Sequence, residues 1–174
     1  MRAVESRYSA EHHMASVNLI FDDEQTAYLR ELSEKMNLDF GEFIPHATLI
    51  NVTEQDIPRL KLAAAALPSL DKLVLDGVNF LPDEAGNCVC VELRVQKTSW
   101  MVEVRRKLLE ILDDIHPGLD IDGFRPHITL GIVEAGTLGD VDMSAIPRQL
   151  PVITKPRAAA CYNGVHGKVV EVVE

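Results

Sequence analysis

The sequence predicts an α+β fold made of two similar halves, and three observations lead to this prediction. The chain has 174 residues, 47% of them hydrophobic, which suits a single buried core rather than two ordinary domains. Short apolar runs typical of strands alternate with amphipathic runs typical of helices. The segment Phe43–Leu49 recurs in closely similar form as Phe124–Leu130. We therefore expect one bilobal domain over 1–174, with motif halves of about 14–95 and about 98–174. The exchange of strands between the lobes stays open.

The first half opens with a strand and a helix. Residues 14–21 are typical of a strand, and Asp22 follows as a helix N-cap with Gln25 three residues later, a capping-box-like start. Apolar residues at helical spacing then predict a helix that ends near Asn37. Proline lacks an N–H group and suits the first position of a strand. The first motif strand should therefore run over 46–52, directly after a proline.

The later elements follow the same kinds of signal. In the first half they are a helix over 60–67, opened by a capping signal at Thr53 and ended by Pro68, and strands over 73–80 and 88–95 joined by the turn-rich segment 82–87. In the second half they are a helix with apolar residues from Met101 to Ile115, closed by Pro117-Gly118, the second motif strand, a connection over 134–150, and strands over 152–162 and 168–173 around Asn163-Gly164. The connection either covers a cleft or wraps the surface.

Each copy of the repeated segment carries a histidine and a threonine two residues apart, His46 with Thr48 and His127 with Thr129. Side chains alternate faces along a strand, so each polar pair points to one face and its apolar neighbours point to the other. If a pseudo-two-fold axis relates the halves, the four polar side chains converge on one cleft. A repeat retained only for structure would more readily carry apolar residues there, because buried polar groups without partners are costly.

Two histidines that flank a phosphate can cleave a phosphodiester. One removes a proton from the attacking oxygen and the other protonates the leaving oxygen, because an imidazole with an ordinary pKa of ~6.5 serves either role near neutral pH. Threonine hydroxyls can donate hydrogen bonds to the non-bridging oxygens, where charge develops in the transition state. This chemistry requires neither a metal nor a cofactor.

With these two motifs the chain resembles the 2H phosphoesterases, also called 2′-5′ RNA ligase-like or LigT-like proteins. The resemblance implies a bilobal fold of antiparallel strands with helices outside and a central cleft. It implies that His46 and His127 are catalytic and that Thr48 and Thr129 bind phosphate. The substrates that it implies are nucleoside or RNA-terminal 2′,3′-cyclic phosphates, ADP-ribose cyclic phosphate or 2′-5′ linkages, and it does not choose among them.

The two copies of the motif differ at two further positions. By alternation Arg125 lies on the face of His127, where the first copy has Ile44. Arg125 either contacts a terminal phosphate or orients the substrate, or it is a solvated arginine at the edge of the strand. Gly131 stands where the first copy has Ile50, and it predicts open space on the His127 face.

Other residues are weaker candidates for the site. Lys155 and Arg157 either line the cleft or form a solvated basic pair, which is the favoured interpretation. Phe43 and Phe124 are expected to pack in the core rather than to stack on a base. Tyr8 and Tyr162 are candidate stacking residues on the ground of aromaticity alone. His12, His13, His116 and His166 have no threonine at the motif spacing and are expected on the surface or in loops.

Charge and hydropathy exclude several classes of protein. The formal net charge is −10, with 17 Lys and Arg against 27 Asp and Glu, whereas a protein that follows a long nucleic acid needs a basic surface. We therefore expect a small nucleotide or an RNA terminus as the partner, and no long nucleic acid. The N-terminus lacks the apolar core of a signal peptide, and no apolar run approaches about 18 residues. We expect a cytoplasmic monomer without membrane contact.

The cysteines do not predict a disulfide framework. Cys88, Cys90 and Cys161 are an odd number in a chain without an export signal. Cys88 and Cys90 would share one face of a strand, which is compatible with a metal site, but a Cys-x-Cys pair on an apolar strand is more typical of packing. We predict no metal site.

Four functions are compatible with the sequence. The leading hypothesis is a metal-independent phosphodiesterase that acts on a 2′,3′-cyclic nucleotide or an RNA-terminal cyclic phosphate. A second is 2′-5′ RNA end-joining, the reverse phosphoryl transfer at the same site, which the acidic composition disfavours. A third is a module that binds a nucleotide or RNA end without turning it over. A fourth is a duplicated scaffold that binds a partner protein.

Overall fold

A computed structural model describes residues 15–82, 85–115, 123–164 and 169–173. In this described part the chain forms two antiparallel sheets of four strands each. The strands are β1 (Ala15–Ile20), β2 (His46–Val52), β3 (Lys72–Pro82), β4 (Cys88–Val95), β5 (His127–Glu134), β6 (Val152–Thr154), β7 (Arg157–Asn163) and β8 (Val169–Val173). The helices are α1 (Asp23–Lys35), α2 (Ile57–Ala65) and α3 (Ser99–Ile111), and 3₁₀ helices lie over Ala135–Asp140 and Met143–Ala145. None of the helices described here is both long and apolar enough to cross a membrane.

The strand order is β2-β1-β7-β8 in the first sheet and β5-β4-β3-β6 in the second sheet. Each sheet takes two strands from each sequence half, so the exchange of strands that the sequence left open does occur. The second sheet is built from the continuous segment 72–154, whereas the first sheet takes strands from both sides of that segment. The motif strands β2 and β5 occupy the same place in the two orders, at one edge of each sheet. The sheets are therefore related as pseudo-symmetric copies.

The start of α1 follows its predicted cap. The carboxylate of Asp22 accepts the backbone N–H of Gln25 at 2.8 Å, and the helix ends at Lys35, close to the predicted end. The capping box is not closed, because the Gln25 side chain donates instead to the hydroxyl of Thr154 at 2.8 Å. This contact ties the start of α1 to the end of β6.

The start of α2 differs from its prediction. The helix begins at Ile57, with Asp56 as the N-cap, and Pro58 suits the first turn because its missing N–H has no helical partner to lose. Thr53 is therefore not the capping residue. Its hydroxyl donates to the carbonyl of Ile115 at 3.0 Å, so it joins β2 to the segment after α3.

The predicted strand over 152–162 is two strands in different sheets. β6 ends in the second sheet and β7 begins in the first. Between them Lys155 has a left-handed φ of 47°, and its N–H donates to the carbonyl of Asp71 at 2.7 Å. Pro156 follows, and because proline has no N–H it cannot donate a hydrogen bond to a neighbouring strand in either sheet. Lys155 therefore lies between the two strands, whereas Arg157 is the first residue of β7.

The connection over 134–150 packs against the end of α1. The N–H of Asp142 donates to the carbonyl of Met36 at 3.0 Å, and the side chain of Asn37 donates to the carbonyl of Asp140 at 3.0 Å. Val141 is buried between these contacts. Of the two alternatives for this segment, these contacts support the one in which it wraps the surface.

One buried apolar cluster joins the two sheets and the helices. Ala47 and Leu49 of β2 lie in this cluster, as do Ile128 and Leu130 of β5. Burial of a side chain such as leucine stabilises the fold by ~1.5–3 kcal/mol. The apolar side of each motif strand is thus fixed to the core, and its histidine and threonine are fixed to the opposite face.

Candidate active site

Both motif strands contain a β-bulge directly after the threonine. In β2, Thr48 lies opposite Asn18 and Ile50 lies opposite Val17, so Leu49 is the extra residue. In β5, Thr129 lies opposite Glu92 and Gly131 lies opposite Val91, so Leu130 is the extra residue. A bulge bends the strand and resets its alternation. The repeat is therefore a repeat of backbone geometry as well as of sequence.

The bulge changes the interpretation of Gly131. Both Leu130 and Gly131 are buried, because the alternation restarts after the extra residue. A Cβ atom at Gly131 would lie 3.0 Å from the Cβ of Leu38 and 3.4 Å from the carbonyl oxygen of Asp39. The prediction of open space at Gly131 is wrong. The glycine instead allows the loop that follows α1 to approach β5 closely.

The two motif copies meet at one small pocket. Its lining residues come from the segment before β2, from β2 itself and from β5: Phe40, Phe43, Ile44, His46, Thr129, Leu130 and Gly131. The hydroxyl of Ser33 on α1 donates to the carbonyl of Leu130 at 2.8 Å, which ties β5 to α1. His46 of the first copy and Thr129 of the second both line this pocket, whereas Thr48 and His127 are not among its lining residues.

The two histidines are oriented in the same way. Nδ1 of His46 lies 2.7 Å from the carbonyl oxygen of Ile44, and Nδ1 of His127 lies 2.9 Å from that of Arg125. A carbonyl oxygen only accepts, so each Nδ1 carries the proton of the hydrogen bond. In the neutral ring Nε2 is then the basic nitrogen, and in the charged ring Nε2 is an acid. Each histidine can accept or give up its proton at Nε2.

A buried carboxylate lies beside His127. Glu92 on β4 is 1% exposed, forms an ion pair with Arg125, and has Oε2 at 3.5 Å from Nε2 of His127. Asn79 Nδ2 lies 3.4 Å from the other carboxylate oxygen. The Arg125 side chain is thus 36% exposed and paired with a buried carboxylate. Sequence reasoning missed Glu92, although a lone acidic residue within the apolar run of β4 was the available signal.

The first sheet carries a buried polar chain on the face of its motif. The Asn18 side chain donates to Ser16 Oγ at 2.6 Å, and Ser16 donates to Asn163 Oδ1 at 2.7 Å. Asn163 in turn donates to Asn51 Oδ1 at 3.3 Å. Asn18 Oδ1 is buried without a hydrogen-bond partner in the described structure. Desolvation in this layer raises the pKa of the Cys161 thiol to about 11.

The segment before β2 is held by Arg30 of α1. Its guanidinium donates to the carbonyls of Gly41 at 3.1 Å and Phe43 at 2.5 Å, and it lies 5.1 Å from the centre of the Phe40 ring. Phe43 lines the pocket, so the expectation that it packs in the core is wrong. The corresponding expectation for Phe124 is confirmed, because that ring is buried in the apolar cluster.

The remaining candidates fall into three groups. Arg157 lies opposite Ile20, which in turn lies opposite His46, so it shares the face of the first motif from two strands away. Tyr162 packs against the apolar cluster on the other face and does not line the pocket. The other named positions lie outside the described residues: Tyr8, His12, His13, Pro117, Gly118, His116, His166 and Lys168.

The cysteines of β4 lie close to the second motif. Cys90 Sγ is 4.0 Å from the hydroxyl of Thr129, and the Cys90 side chain is buried. Cys88 is half-buried at the start of the strand. Among the residues that the structure describes, no three His, Cys, Asp or Glu side chains are grouped so that they could hold a metal ion.

The fold can be compared with known proteins. No protein-family model matches the sequence, and no curated protein matches it. The structure is similar to a crystal structure described as a phosphoesterase, with a TM-score of 0.52 and 13% identity over 94% of this chain and 97% of that chain. Usb1 from Kluyveromyces marxianus, solved with uridine monophosphate, gives a TM-score of 0.43 and 11% identity over 78% of both chains. Another structure of that Usb1 gives 0.44 and 11% over 79% and 77%. The likeness to the phosphoesterase extends over almost the whole of both chains, so the protein has the bilobal α+β fold that its two motifs predict.

Proposed function

We propose that this protein is a 2H-type phosphodiesterase that hydrolyses a 2′,3′-cyclic phosphate, on a nucleotide or at the end of an RNA, without a metal. The observation that supports this most directly is the shared pocket of His46 and Thr129. The matching Nδ1 contacts of the two histidines add to it. Both rings use Nδ1 for a backbone hydrogen bond, which leaves Nε2 as the nitrogen for proton transfer in each copy. A repeat kept only for packing would not need this match.

The reaction follows from these groups. One histidine takes a proton at Nε2 from a water molecule, whose oxygen attacks phosphorus. The bond from phosphorus to the 2′ or 3′ oxygen breaks, and the second histidine gives its Nε2 proton to that oxygen. Thr48 and Thr129 donate hydrogen bonds to the non-bridging oxygens, where negative charge develops. The product is a phosphomonoester with one free ribose hydroxyl.

The charge of the molecule supports a small substrate. The net charge of −10 repels a long polyanion, because affinity for such a partner depends on many cationic contacts. Beside the second motif, Arg125 is already paired with Glu92, so the local positive charge is limited. A cyclic phosphate carries one negative charge and suits this balance better than an extended RNA strand.

The test is hydrolysis of the four nucleoside 2′,3′-cyclic monophosphates in a chelator, with assignment of the product as a 2′- or 3′-phosphate. His46→Ala and His127→Ala should each lower kcat by roughly 10²- to 10⁴-fold, the usual contribution of general acid–base catalysis. Thr48→Val and Thr129→Val should each lower it by roughly 10²- to 10³-fold. Thr137→Val, in the 3₁₀ segment, is the matched control and should keep wild-type kcat.

Two results would contradict the proposal. Full activity in either histidine variant, with melting temperatures showing folded protein, would exclude two-histidine catalysis. Nucleotide binding by the wild type without any product would favour the binding module. In that case the same assay with 2′-5′-linked dinucleotides and ADP-ribose cyclic phosphate would show whether the substrate or the whole reaction was misassigned.

A further inference from the structure

Buried polar and charged side chains in the described part of the chain lie on strands, except for two that lie on helices. The set is Ser16, Asn18, Ser33, Glu92 and Arg105. The three on strands already have a place, in the polar chain of the first sheet and in the ion pair beside His127. Ser33 on α1 and Arg105 on α3 take no part in the proposed reaction. Their burial needs another reason, because a buried polar group is costly unless it forms hydrogen bonds.

Both of these side chains donate a hydrogen bond to the extra residue of a motif bulge. The Ser33 hydroxyl donates to the carbonyl of Leu130 at 2.8 Å, and Nη1 of Arg105 donates to the carbonyl of Leu49 at 2.5 Å. A second acceptor near the Ser33 hydroxyl, the carbonyl of Leu38, is more distant at 3.4 Å. A bulge leaves its extra residue out of the ladder, and a buried carbonyl without a donor is costly. The two helices therefore supply the hydrogen bonds that the bulges leave open.

These hydrogen bonds cross between the two halves of the sequence. Helix α1 precedes the first motif but contacts β5, and α3 precedes the second motif but contacts β2. The donors differ in chemistry, a hydroxyl and a guanidinium, whereas the acceptor is the same residue of the repeat. Arg105 also lies over the ring of Phe124, with Cζ 5.2 Å from the ring centre, and Phe124 begins the second copy of the repeated segment. One buried guanidinium therefore contacts both copies.

The bulge residue directly follows the threonine in each motif. A bulge bends the strand and can re-aim a neighbouring side chain. A hydroxyl that stabilises a transition state must lie about 2.7–3.1 Å from the oxygen on which charge develops, so the backbone beside it has to be held in one conformation. A hydrogen bond to the carbonyl of the bulge residue provides this constraint for Thr48 and for Thr129.

We infer that Ser33 and Arg105 are positioning residues, which fix the two bulges and thereby aim the threonine hydroxyls at the substrate phosphate. This inference rests on the proposed function. Ser33 acts on Thr129 of the second motif, and Arg105 acts on Thr48 of the first motif. The helix of each half therefore orients the phosphate-binding group of the other half. Removal of one donor should impair one threonine and spare the other.

The first experiment measures the kinetics of Ser33→Ala, which removes a single oxygen atom and introduces a good helix former. Because an error of ~1 Å in a reacting group can cost ~10²-fold in rate, kcat for a 2′,3′-cyclic nucleotide should fall by roughly 10- to 10²-fold. The value of kcat/KM should fall by the same factor, since the lost interaction belongs to the transition state. Ser99→Ala, which removes an exposed serine hydroxyl from α3, is the matched control and should keep wild-type kcat.

Double substitutions separate positioning from a general loosening of the fold. In Thr129→Val, the change Ser33→Ala should have no further effect, because the hydroxyl on which Ser33 acts is gone. In Thr48→Val, the same change should lower kcat by as much as in the wild type. The opposite pattern is expected for Arg105→Lys, which keeps the charge but loses the planar donor group. If that variant does not fold, the Ser33 variants alone decide the question.

NMR of the free protein tests the hydrogen bond without turnover. In Ser33→Ala the carbonyl carbon signal of Leu130 and the methyl signal of Thr129 should shift, and the methyl signal of Thr48 should stay. Unmoved signals in folded Ser33→Ala, or equal losses of kcat in both threonine backgrounds, would overturn the inference. Shifted signals in a protein that hydrolyses no cyclic nucleotide would support the positioning contact and contradict the proposed function, so the two failures are distinguishable.

Discussion

The substitution Gly131→Ala tests whether the close approach of the loop after α1 to β5 builds the pocket. The added Cβ would lie 3.0 Å from the Cβ of Leu38 and 3.4 Å from the Asp39 carbonyl oxygen, whereas carbon atoms pack at about 3.5–4.0 Å. Neither atom can move by changing a rotamer, so the backbones must separate by roughly 0.5–1 Å. Overpacking of this kind costs about 1–3 kcal/mol. For a chain of this length that lowers Tm by about 2–12 °C.

The same displacement should also change the orientation of His46. The loop leads into Ile44, whose carbonyl fixes Nδ1 of His46, and an error of ~1 Å in a reacting group can cost ~10²-fold in rate. We therefore expect Gly131→Ala to lower both the melting temperature and kcat/KM for a cyclic phosphate. The control is Gly136→Ala, where an added Cβ has no atom within 4 Å. Wild-type melting of Gly131→Ala, measured by circular dichroism, would refute the reasoning.

Two further predictions concern groups around the site. Arg30→Ala removes the two hydrogen bonds that hold the segment before β2, so kcat/KM should fall about tenfold or more with an unchanged pH profile. The control is Lys35→Ala, which removes an exposed ion pair with Glu31 on the same helix and should leave kcat/KM unchanged. Equal kcat/KM values in the two variants would show that the Arg30 hydrogen bonds do not position the segment before β2. Burial raises the pKa of Cys161 to about 11, so at pH 8 its thiol should resist alkylation in the native protein and react on unfolding. Rapid native labelling of Cys161, mapped by mass spectrometry against Cys88, would contradict this.

The sequence predicted the elements whose signals are local. β2 and β4 have the predicted bounds, and the cap at Asp22 is confirmed, because alternation, proline placement and capping act within a few residues. The bilobal fold is confirmed as well, since a repeated strand imposes a repeated architecture. The strand bounds and the helix cap depend on interactions between residues that are close in the sequence.

What the sequence did not predict depends on contacts between distant segments. The close approach at Gly131 requires knowing that Leu38 lies over β5, and the role of Arg30 requires the path of the loop after its helix. The interruption of the strand at Lys155 arises because β6 pairs in the second sheet and β7 pairs in the first sheet. The sequence alone gives no reason for Glu92 within an apolar strand, because its ion-pair partner Arg125 is 33 residues away. In each case the missing information is tertiary.

The strand order also has a consequence for how the protein is made. The second sheet is continuous in sequence, so its strands leave the ribosome before β7 and β8 leave it, and domains tend to fold as their residues emerge. Until then β1 lacks its second neighbour, and its buried polar side chains Ser16 and Asn18 remain exposed to water. The sheet that carries His127 is therefore the first to have all its strands outside the ribosome. The half with His46 needs residues 157–173 to complete its sheet, so we expect the sheet that carries His127 to fold before the sheet that carries His46.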